Sequence, residues 1–234
     1  MEVQGRSAAI FYDDQDEPLI RIPLAREPAE GAFIVYGSLG TQLEAGIYAG
    51  SVANFVLKPD VVEYDFSVPV EPSDIPDGLI DRWHLSQAFA VEPAGAIVRE
   101  LPSRIMESDG WTVGTPDDTG LLPFGRYVTR DPAAQLSALL AKVAVRSERD
   151  QTKRLDLGFS DIASVFVNGE LVYSGNHIFS NNFPRRQGLV TLDQASLYLP
   201  LKEGDNEIIV AVTEAFGGWG ITGAFEDLEG LEIR

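Results

Sequence analysis

The residues best suited to contact a ligand lie in one segment, residues 173–187. It reads Tyr-Ser-Gly-Asn-His-Ile-Phe-Ser-Asn-Asn-Phe-Pro-Arg-Arg-Gln and stands between two predicted strands. A sugar site needs an aromatic ring for the C–H face of the sugar and planar polar side chains for its hydroxyl groups, and this segment contains both. The predicted ligand contacts are Asn176, His177, Asn181, Asn182, Arg185 and Arg186. The competing interpretation, true of most residues in long loops, is that the apolar residues anchor a connection to the core and the polar ones are solvated.

A second candidate is the segment 215–220, Ala-Phe-Gly-Gly-Trp-Gly. Its paired glycines expose backbone beside an indole, which makes Trp219 a candidate stacking platform. The alternating apolar residues that follow it favour a different role, a core residue at the end of a sheet. Trp83 and Trp111 are expected to be structural for the same reason.

Support for enzymatic chemistry is thin in this sequence. Cys is absent, which excludes cysteine nucleophiles, thiolate zinc sites and disulfides. His84 and His177 are far apart and show no metal-ligand spacing, and no Ser stands in a nucleophile-elbow pattern. Among 36 acidic residues some pair will stand at a glycosidase-like separation by chance, so hydrolysis is left open and not favoured.

Acidic residues cluster at Asp13, Asp14 and Asp16, where we expect the solvated tip of a hairpin. Calcium prefers oxygen ligands on loops, and a structural calcium ion is conceivable here or around Asp117 and Asp118. No EF-hand spacing is present. The sequence therefore predicts neither a metal nor a cofactor.

The composition excludes several classes of partner. The chain has 234 residues and a formal net charge of −18, which opposes binding to nucleic acid or to an anionic membrane surface. No apolar run approaches the roughly 18 residues that span a bilayer, and the first residues do not resemble a signal peptide. We expect a soluble chain whose compartment is undetermined, extracellular or periplasmic if it is a fragment of a longer protein.

Short apolar runs separated by 22 Gly and 14 Pro predict an all-β chain. The strongest signal is Asn168-Gly169 between two β-rich runs, 164–167 and 170–173, which predicts a tight hairpin. With the apolar runs of the last third, it predicts a β-sandwich over residues 82–234. Asp131-Pro132 before 133–141 is compatible with one short helix or with a strand.

The first part of the chain predicts a smaller antiparallel sheet. The runs 7–12 and 18–24 flank the acidic segment as a hairpin, and 31–36 and 51–57 predict two further strands. Prolines between Val68 and Gly78 suggest a linker. The predicted domains are therefore residues 1–67, a linker at 68–81, and residues 82–234.

Two resemblances accompany these patterns. The runs Val-Phe-Val-Asn-Gly-Glu-Leu-Val (165–172), Leu-Pro-Leu-Lys-Glu-Gly-Asp-Asn-Glu-Ile-Ile-Val-Ala-Val (199–212) and Gly-Gly-Trp-Gly (217–220) resemble the galactose-binding-domain-like jelly roll, a sugar-binding accessory module found beside glycoside hydrolases. This match covers about residues 80–234 and implies a jelly-roll β-sandwich. The runs 10–14, 31–35 and 52–55 more weakly resemble the closing strands of a concanavalin-A-like or laminin-G-like sandwich.

Four strands alone would leave an apolar sheet face uncovered in the first part of the chain. We expect that face to pack on the second unit or on a second copy as a homodimer, unless the natural protein is longer at its N-terminus.

Three functions follow from the sequence, in decreasing order of support. The first is a non-catalytic carbohydrate-binding or accessory module of a glycan-degrading or cell-surface protein. The second is a structural or protein-interaction sandwich without a sugar ligand. The third is a glycoside hydrolase acting through paired carboxylates.

Overall fold

The computed structural model describes residues 1–11, 16–23, 62–67, 75–117, 119–130, 133–178, 190–215 and 218–234. The chain divides into two compact units, Met1–Val70 and Glu71–Arg234. Antiparallel strands are the main elements among the described residues of both units, which confirms the all-β class. The predicted boundaries at 67 and 81 remain a prediction.

The first unit contains a three-stranded antiparallel sheet in the described part of the chain. Its strands are β1 (Glu2–Gln4), β2 (Ser7–Ile10) and β3 (Ile20–Pro23), in the order β1-β2-β3. Strands β2 and β3 pair around the acidic segment, as the hairpin prediction requires. The predicted strands at 31–36 and 51–57 lie outside the described residues. The lectin-like resemblance and the partner of this sheet remain predictions.

The second unit is a sandwich of two sheets. Its strands are β4 (Trp83–Leu85), β5 (Phe89–Val91), β6 (Thr112–Gly114), β7 (Leu122–Pro123), β8 (Leu136–Ser147), β9 (Gln151–Ser160), β10 (Ile162–Val167), β11 (Glu170–Asn176), β12 (Ala195–Leu201), β13 (Gly204–Glu214), β14 (Gly220–Phe225) and β15 (Leu231–Ile233). Described helical elements are α1 (Ser103–Met106) and two 3-10 turns, Pro93–Gly95 and Phe124–Arg126. Within the described residues, no helix has the length and apolarity to cross a membrane.

The larger sheet runs β11-β10-β13-β8-β4-β6, with β5 and β15 also paired to β8, and the smaller sheet runs β12-β9-β14-β7. Alternate residues of β8, β9 and β13 fill the space between the sheets, among them Leu139, Leu157 and Val210. The opposite face of the larger sheet carries Leu140 and Phe166, which pack against residues from the irregular stretch before β6. The central strands are thus buried on both faces, which explains their continuous apolar sequences.

The segment 133–141 contributes to strand β8 and forms no helix. Strand β8 pairs with β13 from Gly204↔Ser147 to Glu214↔Ser137. The helix propensity of these residues is overridden because both faces of the strand are buried in the protein. Of the two alternatives left open by the sequence, the strand is the correct one.

The Asn168-Gly169 hairpin is confirmed. Val167 pairs with Glu170, so the loop has two residues, and both have positive φ, 50° at Asn168 and 83° at Gly169. That combination matches the right-handed twist of the flanking strands. Strands β10 and β11 are held in register by this turn.

Part of the predicted linker is bonded to β14. Ile80 is buried and donates its N–H to the Gly223 carbonyl at 2.9 Å, and Phe225 donates to the Gly78 carbonyl at 2.9 Å. Residues 78–80 are therefore packed on the smaller sheet.

Replacing Gly169 by Ala should lower the unfolding free energy of the second unit by about 1 to 2 kcal/mol, because an L side chain is strained at positive φ. An added methyl group contacts no described atom within 4 Å at Gly169 or at Gly125, and Gly125 is not among the positive-φ residues. Gly125→Ala is therefore the matched control, with an expected change below about 0.5 kcal/mol. All three Trp residues lie in the second unit, so Trp fluorescence in a urea titration reports on it. Equal losses in the two variants would contradict this role of the turn.

Candidate functional site

The chain passes from the smaller to the larger sheet at Ser160 and Asp161, where β9 ends and β10 begins. Asp161 is buried, and its Oδ2 accepts a hydrogen bond from the Ala215 N–H at 2.8 Å. Its Oδ1 accepts one from the Ser160 hydroxyl at 2.9 Å. The carboxylate thus satisfies polar groups that the corner between two sheets would otherwise leave unpaired.

A second buried carboxylate, Glu214, lies at the same end of the sandwich. Its Oε1 lies 3.3 Å from Nη1 of Arg130, and within the described residues its Oε2 has no hydrogen-bond partner. Burial raises the pKa of Glu214 to about 7, the negative charge of Asp161 adds to this rise, and Arg130 opposes it. We call Arg130, Asp161 and Glu214 the corner cluster. Its two carboxylates are buried and Arg130 is 42% exposed, so the cluster bears on the stability of this end of the sandwich.

Two of the predicted ligand contacts, Asn176 and His177, lie close to this corner. His177 donates its backbone N–H to the Asp161 carbonyl at 2.8 Å. Its ring packs edge-on against the Phe159 ring, with the ring centroids 4.9 Å apart. Asn176 is exposed, and its Oδ1 accepts a hydrogen bond from the Ile178 N–H at 3.0 Å. Asn181, Asn182, Arg185 and Arg186 lie outside the described residues.

Trp219 is half-buried and packs on the core. Its indole N–H donates to the Val212 carbonyl at 3.1 Å. Its ring packs edge-on against that of Phe124, with the ring centroids 5.5 Å apart. It therefore has no indole N–H to offer a ligand. Trp83 is fully buried, as expected, and Trp111 packs against the outer face of the larger sheet.

The most suitable ring for a ligand, Tyr198, was not predicted from the sequence. Strand β12 alternates strictly between buried and exposed residues, so Leu197 and Leu199 face the core while Tyr198 and Pro200 face solvent. Tyr198 is 70% exposed. The alternation was the available signal, but a buried role and an exposed role are both common for Tyr in a strand.

A polar network lies beside Tyr198 on the outer face of the smaller sheet. Arg154, the cross-strand partner of Tyr198, donates from Nε to Asp156 at 2.9 Å and from Nη1 to Glu226 at 3.0 Å. Its Nη2 donates to the Ser196 hydroxyl at 3.3 Å, and that hydroxyl donates to Asp156 at 2.6 Å. The bond to Asp156 is the main cause of a raised Arg154 pKa. We call these residues the Tyr198 face.

A cavity of about 470 Å³ adjoins this face. It lies between β11 and β12, which are edge strands in the described part of the chain. Its lining consists of Asp150, Gln151, Thr152, Val167, Asn168, Glu170, Val172, Pro200, Leu201 and Lys202. Thr152 and Pro200 are cross-strand partners, and Pro200 is two residues, or about 7 Å, beyond Tyr198 on the same side of β12. We call it the edge cavity.

Metal ligands are not grouped in the described residues, where no three His, Asp or Glu side chains are placed to hold an ion. Asp117 uses its Oδ1 to accept hydrogen bonds from the Thr119 N–H and hydroxyl at 3.0 and 2.6 Å. This bonding is typical of a turn-stabilising Asp. Asp13, Asp14 and Asp118 lie outside the described residues.

Comparison with known proteins gives no family model and no curated protein that matches the chain. Among solved structures, a family 35 carbohydrate-binding module from an environmental isolate is 16% identical, with a TM-score of 0.30, over 41% of this chain and 69% of that chain. A PA14 sugar-binding domain from an RTX adhesin is 15% identical, with a TM-score of 0.33, over 66% of this chain and 95% of that domain. A β-glucosidase from Kluyveromyces marxianus in complex with glucose is 14% identical, with a TM-score of 0.39, over 61% of this chain and 16% of the enzyme.

Replacing Glu214 by Gln should remove a pH dependence of stability. The native chain holds this proton more tightly than the unfolded chain, because folding raises the pKa from 4.5 to about 7. The resulting stabilisation is complete below about pH 4.5 and is lost as the pH rises through about 7. The parent should lose on the order of 3 kcal/mol across this window relative to Glu214→Gln.

The measurement is the unfolding free energy from Trp fluorescence in urea, at intervals from pH 4.5 to 8. The matched control is Glu100→Gln, which removes the same charge from an exposed position. Parallel curves for the parent and Glu214→Gln would show that this carboxyl titrates normally in the native chain.

Proposed function

We propose that the chain is a non-catalytic carbohydrate-binding module and that it binds glycan on the Tyr198 face. The observation that carries the proposal is the exposed ring of Tyr198, which lies beside fixed planar polar groups. The flat face of a Tyr ring packs on the C–H side of a sugar, and neighbouring acceptors and donors meet its hydroxyl groups.

The rigidity of this surface supports the proposal. Tyr198 stands on a strand that is paired with β9 from Ala195↔Leu157 to Leu201↔Gln151. Arg154 holds Asp156 and Glu226 in place before any ligand arrives. Polar groups that are already ordered lose little conformational entropy on binding, which favours affinity.

The edge cavity extends the same surface beyond Pro200. Its polar side chains, among them Gln151, Asn168 and Glu170, are suited to sugar hydroxyl groups. A glycan that packs on Tyr198 and continues along β12 would place its next unit at this cavity. We therefore propose an oligosaccharide rather than a single sugar as the ligand.

The segment 173–187 and Trp219 are retained as a second proposed contact, with Asn176, His177, Asn181, Asn182, Arg185 and Arg186. Loops at the end of a sandwich often carry binding residues. A carbohydrate partner would suit an accessory module of a glycan-degrading or cell-surface protein, in an extracellular or periplasmic location.

One observation favours the alternative of a protein-interaction module. Edge strand β11 exposes Leu171 and Val172, which are 38% and 39% exposed. Exposed edges with apolar side chains can pair with a strand of another chain. A Leu171→Lys variant that lost a protein partner and kept glycan binding would separate this function from the proposed one.

Tyr198→Ala should weaken glycan binding about tenfold or more while leaving the unfolding free energy nearly unchanged, because the ring is exposed. A glycan array on the purified chain identifies the ligand, and calorimetry then measures Kd. Tyr198→Phe is the matched control, since it keeps the ring and should bind within about threefold of the parent. Equal affinity of Tyr198→Ala and the parent would place the site elsewhere.

The second proposed contact has its own test. If the segment 173–187 binds the same glycan, Asn176→Ala and Arg185→Ala should each weaken binding about fivefold, the loss of one hydrogen bond. Parental affinity in both variants would eliminate the segment as a contact and leave the Tyr198 face as the site.

A further inference from the structure

Charge is unevenly distributed on the proposed binding surface. The edge cavity is lined by Asp150 and Glu170 with Lys202 as the cation among its lining residues, and Arg154 lies between Asp156 and Glu226 on the adjoining face. Carboxylates therefore outnumber cations on both parts of the surface. The chain as a whole carries a formal charge of −18, which adds to this local field.

The cation of the Tyr198 face is already used by the protein. Each of the three guanidinium nitrogens of Arg154 donates to a side-chain oxygen, of Asp156, Glu226 or Ser196. Three of its five N–H groups are thus used by the protein, and a ligand carboxylate that approached the other two would also approach Asp156 and Glu226. A carboxylated sugar on this face would therefore meet two carboxylates and one guanidinium that already pairs with both of them.

The side chain of Glu170 in the edge cavity differs from that of Arg154 in this respect. Glu170 is exposed, and among the described residues no ion pair involves it. The two-residue turn at Asn168-Gly169 fixes its backbone, because Glu170 is the first residue after the turn and pairs with Val167. Its Cα is therefore fixed beside the cavity, and its carboxylate is accessible to a hydroxyl or an ammonium group of a ligand.

We infer that the glycan of this surface is neutral or carries amino groups, and that chains of uronic acids are rejected. This inference rests on the proposed function and names its ligand class. Protonated amino sugars gain from the carboxylates of the edge cavity, neutral sugars use them as hydrogen-bond acceptors, and uronates are repelled by them. Glu170 is the residue that sets the selectivity.

The test compares three β-1,4-linked hexamers that share one backbone, made of glucose, glucosamine or glucuronate, alongside an array of neutral, amino-bearing and uronate-bearing glycans. The glucuronate hexamer should bind about fivefold or more weakly than the better of the other two. On the array, the bound glycans should be neutral or amino-bearing. Any advantage of amino sugars should shrink as NaCl rises from 20 to 500 mM, because salt screens exposed charges.

The variant Glu170→Gln keeps the shape of the side chain and removes its charge. It should lower the preference for amino-bearing over uronate-bearing chains about threefold, while Glu100→Gln, with the same change in net charge far along the chain, should leave the preference unchanged. A preference that is the same in Glu170→Gln and the parent would overturn the role of Glu170.

Two further results separate this inference from the proposed function. Uronate chains that bind as tightly as neutral chains, and that lose affinity in Tyr198→Ala, would overturn the inference and leave a carbohydrate-binding module. An array without any bound glycan, from a chain with a cooperative urea transition, would overturn both.

Discussion

Asn206 is buried between two turns, and its side-chain amide uses its full hydrogen-bonding capacity there. Its Nδ2 donates to the carbonyls of Lys202 and Gly204 at 2.7 and 3.1 Å, and its Oδ1 accepts from the Lys202 N–H and from the Asn168 amide at 2.9 Å each. Asn168 in turn accepts from the Glu207 N–H at 3.0 Å. One buried amide thus joins the β10–β11 turn to the β12–β13 turn. Asn168 and Lys202, which both line the edge cavity, are held at a fixed separation by this network.

The position of the Tyr198 face depends on the same hydrogen-bond network of Asn206. Strand β12 is an edge strand in the described part of the chain and has β9 as its neighbour on one side. Its buried residues, such as Leu197 and Leu199, are held by the core, and its far end is held through Lys202 by Asn206. Strict alternation along β12 then fixes the face of the sheet on which Tyr198 lies. The core and a buried amide thus hold the strand that presents the exposed ring of Tyr198.

Local signals in the sequence predicted the parts of the fold that depend on neighbouring residues. Asn168-Gly169 predicts its own hairpin, because few residue pairs accept positive φ at both positions. The role of Tyr198 depends instead on which strand lies at an edge and which sheet face remains uncovered, and neither is written in the residues of β12. Strand β8 shows the same limit, since its helix-forming residues are overridden by burial against two layers. The burial of Glu214 could not be predicted either, because it results from strand pairing between distant segments.

The corner cluster and the edge cavity lie near opposite ends of strand β13. Because the strand is long, the charges of these two regions affect different properties of the second unit. Glu214 ends β13, while Gly204 begins the same strand beside the turn that lines the edge cavity. Eleven residues of strand place these ends about 33 Å apart. Exposed charges interact weakly beyond a screening length of about 8 Å at physiological salt. Ionisation of Glu214 therefore lowers the stability of the second unit without changing the electrostatic potential at the edge cavity. The raised pKa of Glu214 thus makes the stability of the second unit depend on pH, while the charges at the edge cavity stay as they are.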